Sequence, residues 1–127
     1  MTRLLLIGLA GALGTCTRYL VGLGAGRILG SGFPFGTLVV NVVGCFLIAA
    51  ITQVALTTDL ISPTLRLTLT TGFMGGLTTY SSFNLETTQL LQSRAWYAAM
   101  VNFGVTVGGC FIAGLLGFAV ARRVFGS

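Results

Sequence analysis

The sequence contains no histidine and no lysine, and its only acidic residues are Asp59 and Glu86. Charged residues make up 7% of the chain, against the roughly 25% that is usual in soluble domains. Without histidine, and without a nucleophile that has a base beside it, the chain lacks the usual groups for catalysis, so we do not expect an enzyme. The scarcity of charge, together with 54% hydrophobic residues, predicts a membrane protein.

Clustered positive charge is also missing. All seven basic residues are arginines scattered along the chain, and only Arg122 and Arg123 are adjacent. A nucleic-acid-binding surface requires basic side chains grouped on a solvated face. The net charge of +5 therefore indicates arginines in loops and at helix ends beside a lipid bilayer, and we expect no nucleic acid partner.

Cysteine is infrequent and odd in number. Cys16, Cys45 and Cys110 each fall in an apolar stretch, and no two of them have the short spacing typical of metal or redox motifs. We interpret all three as small, reduced packing residues. Residues 1–20 resemble a signal peptide in having an arginine before an apolar run, but the run continues beyond Leu20, which argues against cleavage.

Four stretches of the chain are apolar and long enough to cross a bilayer, which requires about 20 residues of helix. The predicted helices run over about residues 4–25, 36–56, 65–91 and 96–121. The connecting segments carry both prolines and Asp59, and none of them is long enough for a second domain. The sequence therefore predicts an all-α membrane protein, with residues 1–127 forming a single four-helix transmembrane domain.

The third predicted helix is too long for a straight perpendicular span, and Gly72, Gly75 and Gly76 lie near its middle. We therefore expect this helix to be broken near residues 72–80. Broken backbone at membrane depth is tolerated only where its polar groups face protein, water or an ion, so a break predicts a functional site. The five hydroxyl side chains within residues 75–86 support this interpretation, because polar groups inside a membrane often mark pathways.

Glycines and isolated polar residues in a membrane helix also have a purely structural interpretation. Glycines can simply allow helices to approach closely, which is the interpretation we favour for the G-x-x-x-G pairs at 22–26 and 104–108. Asn41, alone in the apolar run VVNVVG, is of a kind that more often joins helices than lines a pore. Asn102 and Thr106, about one turn apart, are the polar candidates of the fourth helix.

Four spans would place both termini on the same side of the membrane. The arginines then show only a small excess on one side, so the positive-inside rule gives a weak preference. We hypothesise that the chain inserts in both orientations and that opposite copies pair about a two-fold axis in the membrane plane. Because four short helices enclose little space, we expect a pathway between subunits rather than within one.

Three stretches of the sequence, taken in order, resemble one known family. GALGTCTRY at 11–19, GTLVVNVVG at 36–44, and TGFMGGLTTYSSF at 71–83 followed by Glu86 are similar to the CrcB/Fluc family of fluoride channels. The resemblance covers nearly the whole chain, and its GG-x-[TS]-T-[FY]-S-[TS]-F core is specific. Arg18 matches the family's first-helix arginine and Asn41 its second-helix asparagine.

This resemblance implies a homodimer of two subunits in opposite orientations, with two fluoride pores. It also implies a structural sodium ion at the dimer centre, held by the backbone carbonyls of Gly75 and Thr78 from both subunits. A hard monovalent cation suits carbonyl oxygen ligands, and a helix break exposes such oxygens.

The resemblance places the family's paired pore phenylalanines at Tyr80 and Phe83. An aromatic ring is electron-poor at its edge, so ring C–H groups can meet a desolvated anion without trapping it. Tyr80 departs from the commoner phenylalanine, and its added hydroxyl could bind fluoride or another side chain. The alternative is that both rings only fill gaps between helices. The donors that could replace the water shed by fluoride are Asn41, Ser81, Ser82 and Thr106.

Arg18 and Glu86 are the charged candidates within the membrane. Arg18 could draw anions into an aqueous vestibule, or it could extend its charged end to the membrane interface. A lone acid in a membrane is usually functional. An anion pore is nevertheless an unusual place for a carboxylate, so an ion pair or a hydrogen-bonded structural role is an equal alternative for Glu86.

The sequence as a whole predicts a passive fluoride channel that exports the anion across a bacterial or archaeal inner membrane. No nucleotide motif or proton-relay chain indicates an energy source, and an inside-negative potential favours outward movement by about 2.3 kcal/mol per charge at 100 mV. One alternative is a small multidrug-type dual-topology cation/proton antiporter, which would need a carboxylate in its first helix. Another is a membrane scaffold that passes no ion.

Overall fold

The computed structural model describes residues 1–126, which form helices joined by short loops. In chain order these are α1 (Thr2–Leu29), α2 (Phe35–Thr57), α3 (Pro63–Leu67), a π-helical segment (Thr68–Met74), α4 (Gly75–Leu77), α5 (Tyr80–Gln92) and α6 (Trp96–Phe125). The three helices α1, α2 and α6 are each long and apolar enough to cross a membrane. Residues 63–92 are called the third segment below. The predicted all-α fold with four segments is confirmed, and the chain is a multi-pass membrane protein.

The third segment is interrupted at two threonines that follow its glycines. Gly75 is helical, with φ −60° and ψ −36°. Thr78 (φ −89°, ψ 156°) and Thr79 (φ −155°, ψ 116°) are both extended. The predicted interruption of the third helix is therefore confirmed, but its cause is not glycine flexibility, because the glycine keeps helical backbone and the two threonines leave it.

Glycines in the third segment instead serve close packing against α1. An added Cβ at Gly76 would collide with the carbonyl of Gly11, and one at Gly14 would collide with the carbonyl of Phe73. Small residues let helix backbones approach in a membrane, where the hydrophobic effect does not hold helices together. The packing alternative is therefore the right one for Gly76.

Helix α2 lies between α1 and α6 and uses the same kind of contact on both sides. Gly36 at its start lies against Gly22 of α1, and its Phe46 carbonyl lies where a Cβ of Gly117 in α6 would be. The buried apolar centre is small and consists of Val40 and two residues of the third segment, Met74 and Leu77. This arrangement fixes α2 directly beside the interruption.

The outer surface of the subunit is strongly apolar. Leu5, Leu9 and Leu13 of α1 are 64%, 66% and 64% exposed, and Phe111 of α6 is 70% exposed. A surface of this kind is stable only when lipid or another protein covers it. The chain is therefore built for a bilayer, and one of its few buried polar residues, Asn41, lies at the interruption of the third segment.

Gly14→Ala should destabilise the fold, because the added methyl group would meet the backbone atoms Phe73 O and Leu77 N, which cannot rotate away. The expected loss is about 1–3 kcal/mol of unfolding free energy, as for overpacked cores. The measurement is reversible unfolding in mixed detergent and sodium dodecyl sulfate micelles, followed by circular dichroism.

The matched control is Gly8→Ala in the same helix, where nothing lies within 4 Å of the added Cβ. Because alanine is a better helix former than glycine, this variant should be as stable as the original chain or more stable by roughly 0.5–1 kcal/mol. Equal destabilisation of the two variants would contradict the packing described here.

Candidate functional site

Asn41 of α2 holds the interruption open by bonding both backbone groups of one residue. Its Oδ1 accepts a hydrogen bond from the Thr79 N–H at 2.8 Å. Its Nδ2 donates to the Thr79 carbonyl at 3.1 Å. Asn41 is 7% exposed, and unpaired backbone groups are costly at membrane depth. The side-chain amide thus replaces the hydrogen bonds that a continuous helix would have made.

The pairing of Thr79 with Asn41 frees carbonyls at the end of α4. In a continuous helix the Thr79 N–H would donate to the carbonyl four residues earlier, which belongs to Gly75. The following carbonyl, of Gly76, accepts a hydrogen bond from Arg18 Nε at 3.0 Å. Arg18 therefore caps the first half of the third segment. It also lines a separate groove of about 350 Å³ between α1 and α2.

Helix α5 begins directly at the interruption, with Thr79 as its N-cap. The Thr79 hydroxyl oxygen accepts from the Ser82 N–H at 3.2 Å, and this hydroxyl donates to Ser82 Oγ at 3.2 Å. Ser81 Oγ lies 3.3 Å from the same oxygen. Because the first N–H groups of a helix carry partial positive charge, the start of α5 favours a nearby anion.

A cavity of about 320 Å³ lies at the start of α5, between α2 and α6, and is called the α5 cavity below. Its lining includes five of the residues predicted for the site, Asn41, Thr78, Tyr80, Phe83 and Thr106. Gly44, one turn after Asn41, leaves the space that the methyl group of Thr78 occupies. The structure thus brings α2, the interruption and α6 together around one space.

The two predicted aromatic residues occupy different environments. The rings of Tyr80 and Phe83 meet edge to face, with centroids 5.8 Å apart and an angle of 68°. Phe83 is 5% exposed, whereas Tyr80 is 78% exposed at the surface of the subunit. Phe83 also contacts Phe103 of α6, with centroids 6.2 Å apart. One ring is therefore fixed inside the subunit and the other stands at its edge.

A chain of hydrogen bonds ties α5 to α6 behind the cavity. Thr106 donates to Asn102 Oδ1 at 3.2 Å, and Asn102 Nδ2 donates to Thr87 Oγ1 at 2.8 Å. Thr87 in turn donates to the Phe83 carbonyl at 2.8 Å. Asn102 is only 2% exposed. This network satisfies the polar groups of both helices and fixes the backbone that carries the Phe83 ring.

The hydrogen bonds of the cavity wall decide which groups can donate to an anion. The hydroxyl protons of Thr106 and Thr78 are given to Asn102 and to the Met74 carbonyl. An asparagine amide has two N–H groups, and the structure gives Asn41 Nδ2 one acceptor, the Thr79 carbonyl. The second N–H of Asn41 therefore has no acceptor within residues 1–126 and is a donor in the wall of the α5 cavity.

The other five predicted residues do not line the α5 cavity; they are Arg18, Gly75, Ser81, Ser82 and Glu86. Glu86 Oε1 is buried and has no hydrogen-bond partner within residues 1–126. Gly75 is on the exposed side of α4, where an added Cβ would meet only the Thr70 carbonyl, at 3.8 Å. The described part of the chain contains no group of three or more His, Cys, Asp or Glu side chains.

Sequence reasoning did not single out Thr79 or Thr87. Thr79 supplies the peptide group that Asn41 bonds, and Thr87 links Asn102 to the backbone of α5. A threonine immediately before a helical run is a recognised N-cap pattern, so Thr79 could have been identified from the sequence. Thr87 carries no comparable signal, because its role depends on a contact with another helix.

Comparison of the sequence with known proteins identifies the family to which the chain belongs. The sequence profile of the family described as "CrcB-like protein, Camphor Resistance (CrcB)" matches residues 5–118. A protein of Sorangium cellulosum (strain So ce56), named "Fluoride-specific ion channel FluC", is 52% identical over 98% of both chains. Proteins with the same name from Anaeromyxobacter sp. (strain K) and Geobacter sulfurreducens are 46% and 44% identical, over 99% and 98% of this chain and 100% of their own lengths.

The family match spans most of the chain, and the relatives align with it from end to end. The stretches that predicted the family are those that build the interruption and the two helices packed beside it, α1 and α2. The chain belongs to the CrcB family, as its motifs predicted.

Proposed function

We propose that this protein is a passive fluoride channel and that the α5 cavity forms part of the anion path. The observation that carries the proposal is the interruption at Thr78 and Thr79, which sets the free N–H of Asn41 and the start of α5 around one space. The relatives named as fluoride-specific channels support the choice of anion. The function is transport, and the chain is not an enzyme.

The lining of the cavity suits a small anion that must enter and leave. Its residues include no arginine or other full positive charge, so an anion meets weaker partners from which it can depart. Asn41 Nδ2 and the first N–H groups of α5 supply hydrogen bonds, and the ring edges of Phe83 and Tyr80 supply partial positive charge. Ser81 and Ser82, at the start of α5, are further donors along the same path.

A second copy in the opposite orientation would complete this path. Tyr80, although it lines the cavity, is 78% exposed, and the apolar surface of α1 has no cover within the subunit. Short-loop arginines show little bias toward one side, which permits insertion both ways. Two copies related by a two-fold axis would form two equivalent pores at their shared interface.

Sodium fits the interruption as a structural ion of this dimer. The Gly75 carbonyl has lost its helical hydrogen-bond donor to Asn41, and Gly75 lies on an exposed face. Thr78 is extended, so its carbonyl departs from the helical direction. Two such carbonyls from each of two copies would offer four hard oxygen ligands and no competing soft ones. A bound ion would supply positive charge that joins the two subunits.

The direction of transport follows from the membrane potential. Across a bacterial inner membrane that is negative inside, the potential lowers the free energy of each exported anion by about 2.3 kcal/mol per 100 mV. No energy source is needed to keep cytoplasmic fluoride low. The antiporter alternative is not supported, because α1 carries Arg18 and no carboxylate that could exchange protons.

The purified protein in liposomes should release fluoride faster than chloride by about tenfold or more. Such a ratio corresponds to roughly 1.4 kcal/mol, the scale of one hydrogen bond that the smaller anion makes better. Ion-selective electrodes measure both rates from vesicles loaded with equal concentrations. Equal rates would contradict fluoride selectivity, no release would favour a scaffold, and release that requires a proton gradient would favour an antiporter.

Asn41→Asp should lower fluoride efflux by about tenfold or more. Aspartate still accepts from the Thr79 N–H, but it cannot donate to the Thr79 carbonyl or to an anion, and its charge repels fluoride. Efflux from liposomes is the measurement, and size-exclusion chromatography checks the fold. Gln89→Glu, the same replacement of an amide by a carboxylate at an exposed position of α5, is the control and should keep the original rate. Equal efflux rates in both variants would contradict the proposal that Asn41 lines the anion path.

Sodium should raise the thermal stability of the purified protein in a concentration-dependent way. A ligand that binds only the folded state stabilises it, by about 2.7 kcal/mol at a hundred times its dissociation constant. Thermal unfolding is compared in sodium and choline salts of equal ionic strength. A midpoint that does not depend on the cation would contradict a structural sodium ion.

A further inference from the structure

Two cysteines that the proposed fluoride path does not use share the wall of its cavity. Cys45 of α2 and Cys110 of α6 both line the α5 cavity. Both also line a neighbouring space of about 530 Å³ that runs along α2 and α6, called the α2–α6 groove below. The pair therefore sits at the boundary between the proposed anion path and an apolar groove.

The packing of α2 on α6 places the two cysteines in one wall. An added Cβ at Gly114, one turn after Cys110, would lie 3.9 Å from the Cys45 carbonyl. Cys45 from α2 and Cys110 from α6 line both the α5 cavity and the α2–α6 groove, so the two side chains border the same space. Both side chains are half-buried and neither forms a disulfide, whereas Cys16 is exposed on α1. The structure thus places one pair of cysteines beside the same space and the third cysteine on another helix.

The chemistry of this pair selects the kind of ion it can hold. Thiolates are soft ligands and prefer soft metals. Zinc in a structural site takes four ligands, and the described part of the chain offers no group of three or more ligating His, Cys, Asp or Glu side chains. The cysteine pair therefore suits a soft metal ion that needs only two sulfur ligands.

Charge decides between a monovalent and a divalent ion. If both thiols lose their protons, a monovalent cation leaves the site with one negative charge, whereas a divalent cation leaves it neutral. The α2–α6 groove is lined by apolar side chains such as Ile48, Phe111 and Leu115, and an uncompensated charge is costly there. A divalent cation, which leaves the site without net charge, is therefore favoured over a monovalent one.

We propose that Cys45 and Cys110 form a binding site for a soft divalent cation of the Hg²⁺ type. Binding forms two metal–sulfur bonds and breaks two S–H bonds, and the two protons pass to solvent without any change of oxidation state. The bound ion lies in the wall of the α5 cavity and obstructs the anion path. This second effect, unlike the binding itself, rests on the proposed function.

The binding is tested without transport, on the full-length Cys16→Ser protein, which retains only the cysteine pair. After addition of one Hg²⁺ per subunit, X-ray absorption at the mercury edge should show two sulfur neighbours. Adding Cys45→Ser or Cys110→Ser to this protein should reduce the number to one. A single sulfur neighbour while both cysteines are present would overturn the site.

The obstruction is tested by fluoride efflux from liposomes, with each variant compared with its own rate before mercury is added. One Hg²⁺ per subunit should slow the Cys16→Ser protein by at least about tenfold, and excess dithiothreitol should restore the rate. The same protein carrying Cys45→Ser or Cys110→Ser should lose most of this inhibition. Inhibition that persists in both would overturn the obstruction. Absence of fluoride efflux before mercury is added would instead refute the proposed channel function.

Discussion

The pair of hydrogen bonds between the Asn41 amide and the backbone of Thr79 is the constraint on which the rest of the structure depends. A helix cannot be interrupted inside a membrane unless its freed amides and carbonyls find new partners. Asn41 provides both partners at one residue, at 2.8 and 3.1 Å. Arg18 bonds the Gly76 carbonyl, which belongs to the same interruption. Two polar side chains from two neighbouring helices thus allow a local structure that the third segment could not keep alone.

The interruption gives one segment two ends of opposite polarity at the same depth. The end of α4 presents carbonyl oxygen, which suits a cation, and the start of α5 presents N–H groups, which suit an anion. The proposed sodium site and the proposed fluoride path are therefore two consequences of one backbone arrangement. Phe83 and Asn41 line the space on the anion side, and the exposed Gly75 lies on the cation side. The wall of the α5 cavity itself contains no charged residue.

The sequence predicted four helical segments and a bend in the third, because long apolar runs and the polar stretch within them are local signals. It also indicated Asn41, Tyr80, Phe83 and Thr106, through the family motif and through polarity. It could not supply the contacts that give these residues their roles. Asn41 bonds a residue 38 positions away, and Arg18 bonds one 58 positions away. The role of the glycines was open for the same reason, since close packing against α1 is visible only once both helices are placed.

The most direct test of this account is the backbone conformation of Thr78 and Thr79 in a lipid bilayer. Solid-state NMR of protein carrying ¹³C-labelled threonine reports it through the Cα, Cβ and carbonyl chemical shifts. The account predicts shifts of extended backbone at these two residues, and helical shifts at Thr87 and Thr88 of α5 in the same sample. Helical shifts at Thr78 and Thr79 would mean a continuous third helix, and that result would contradict the cation site and the anion path together.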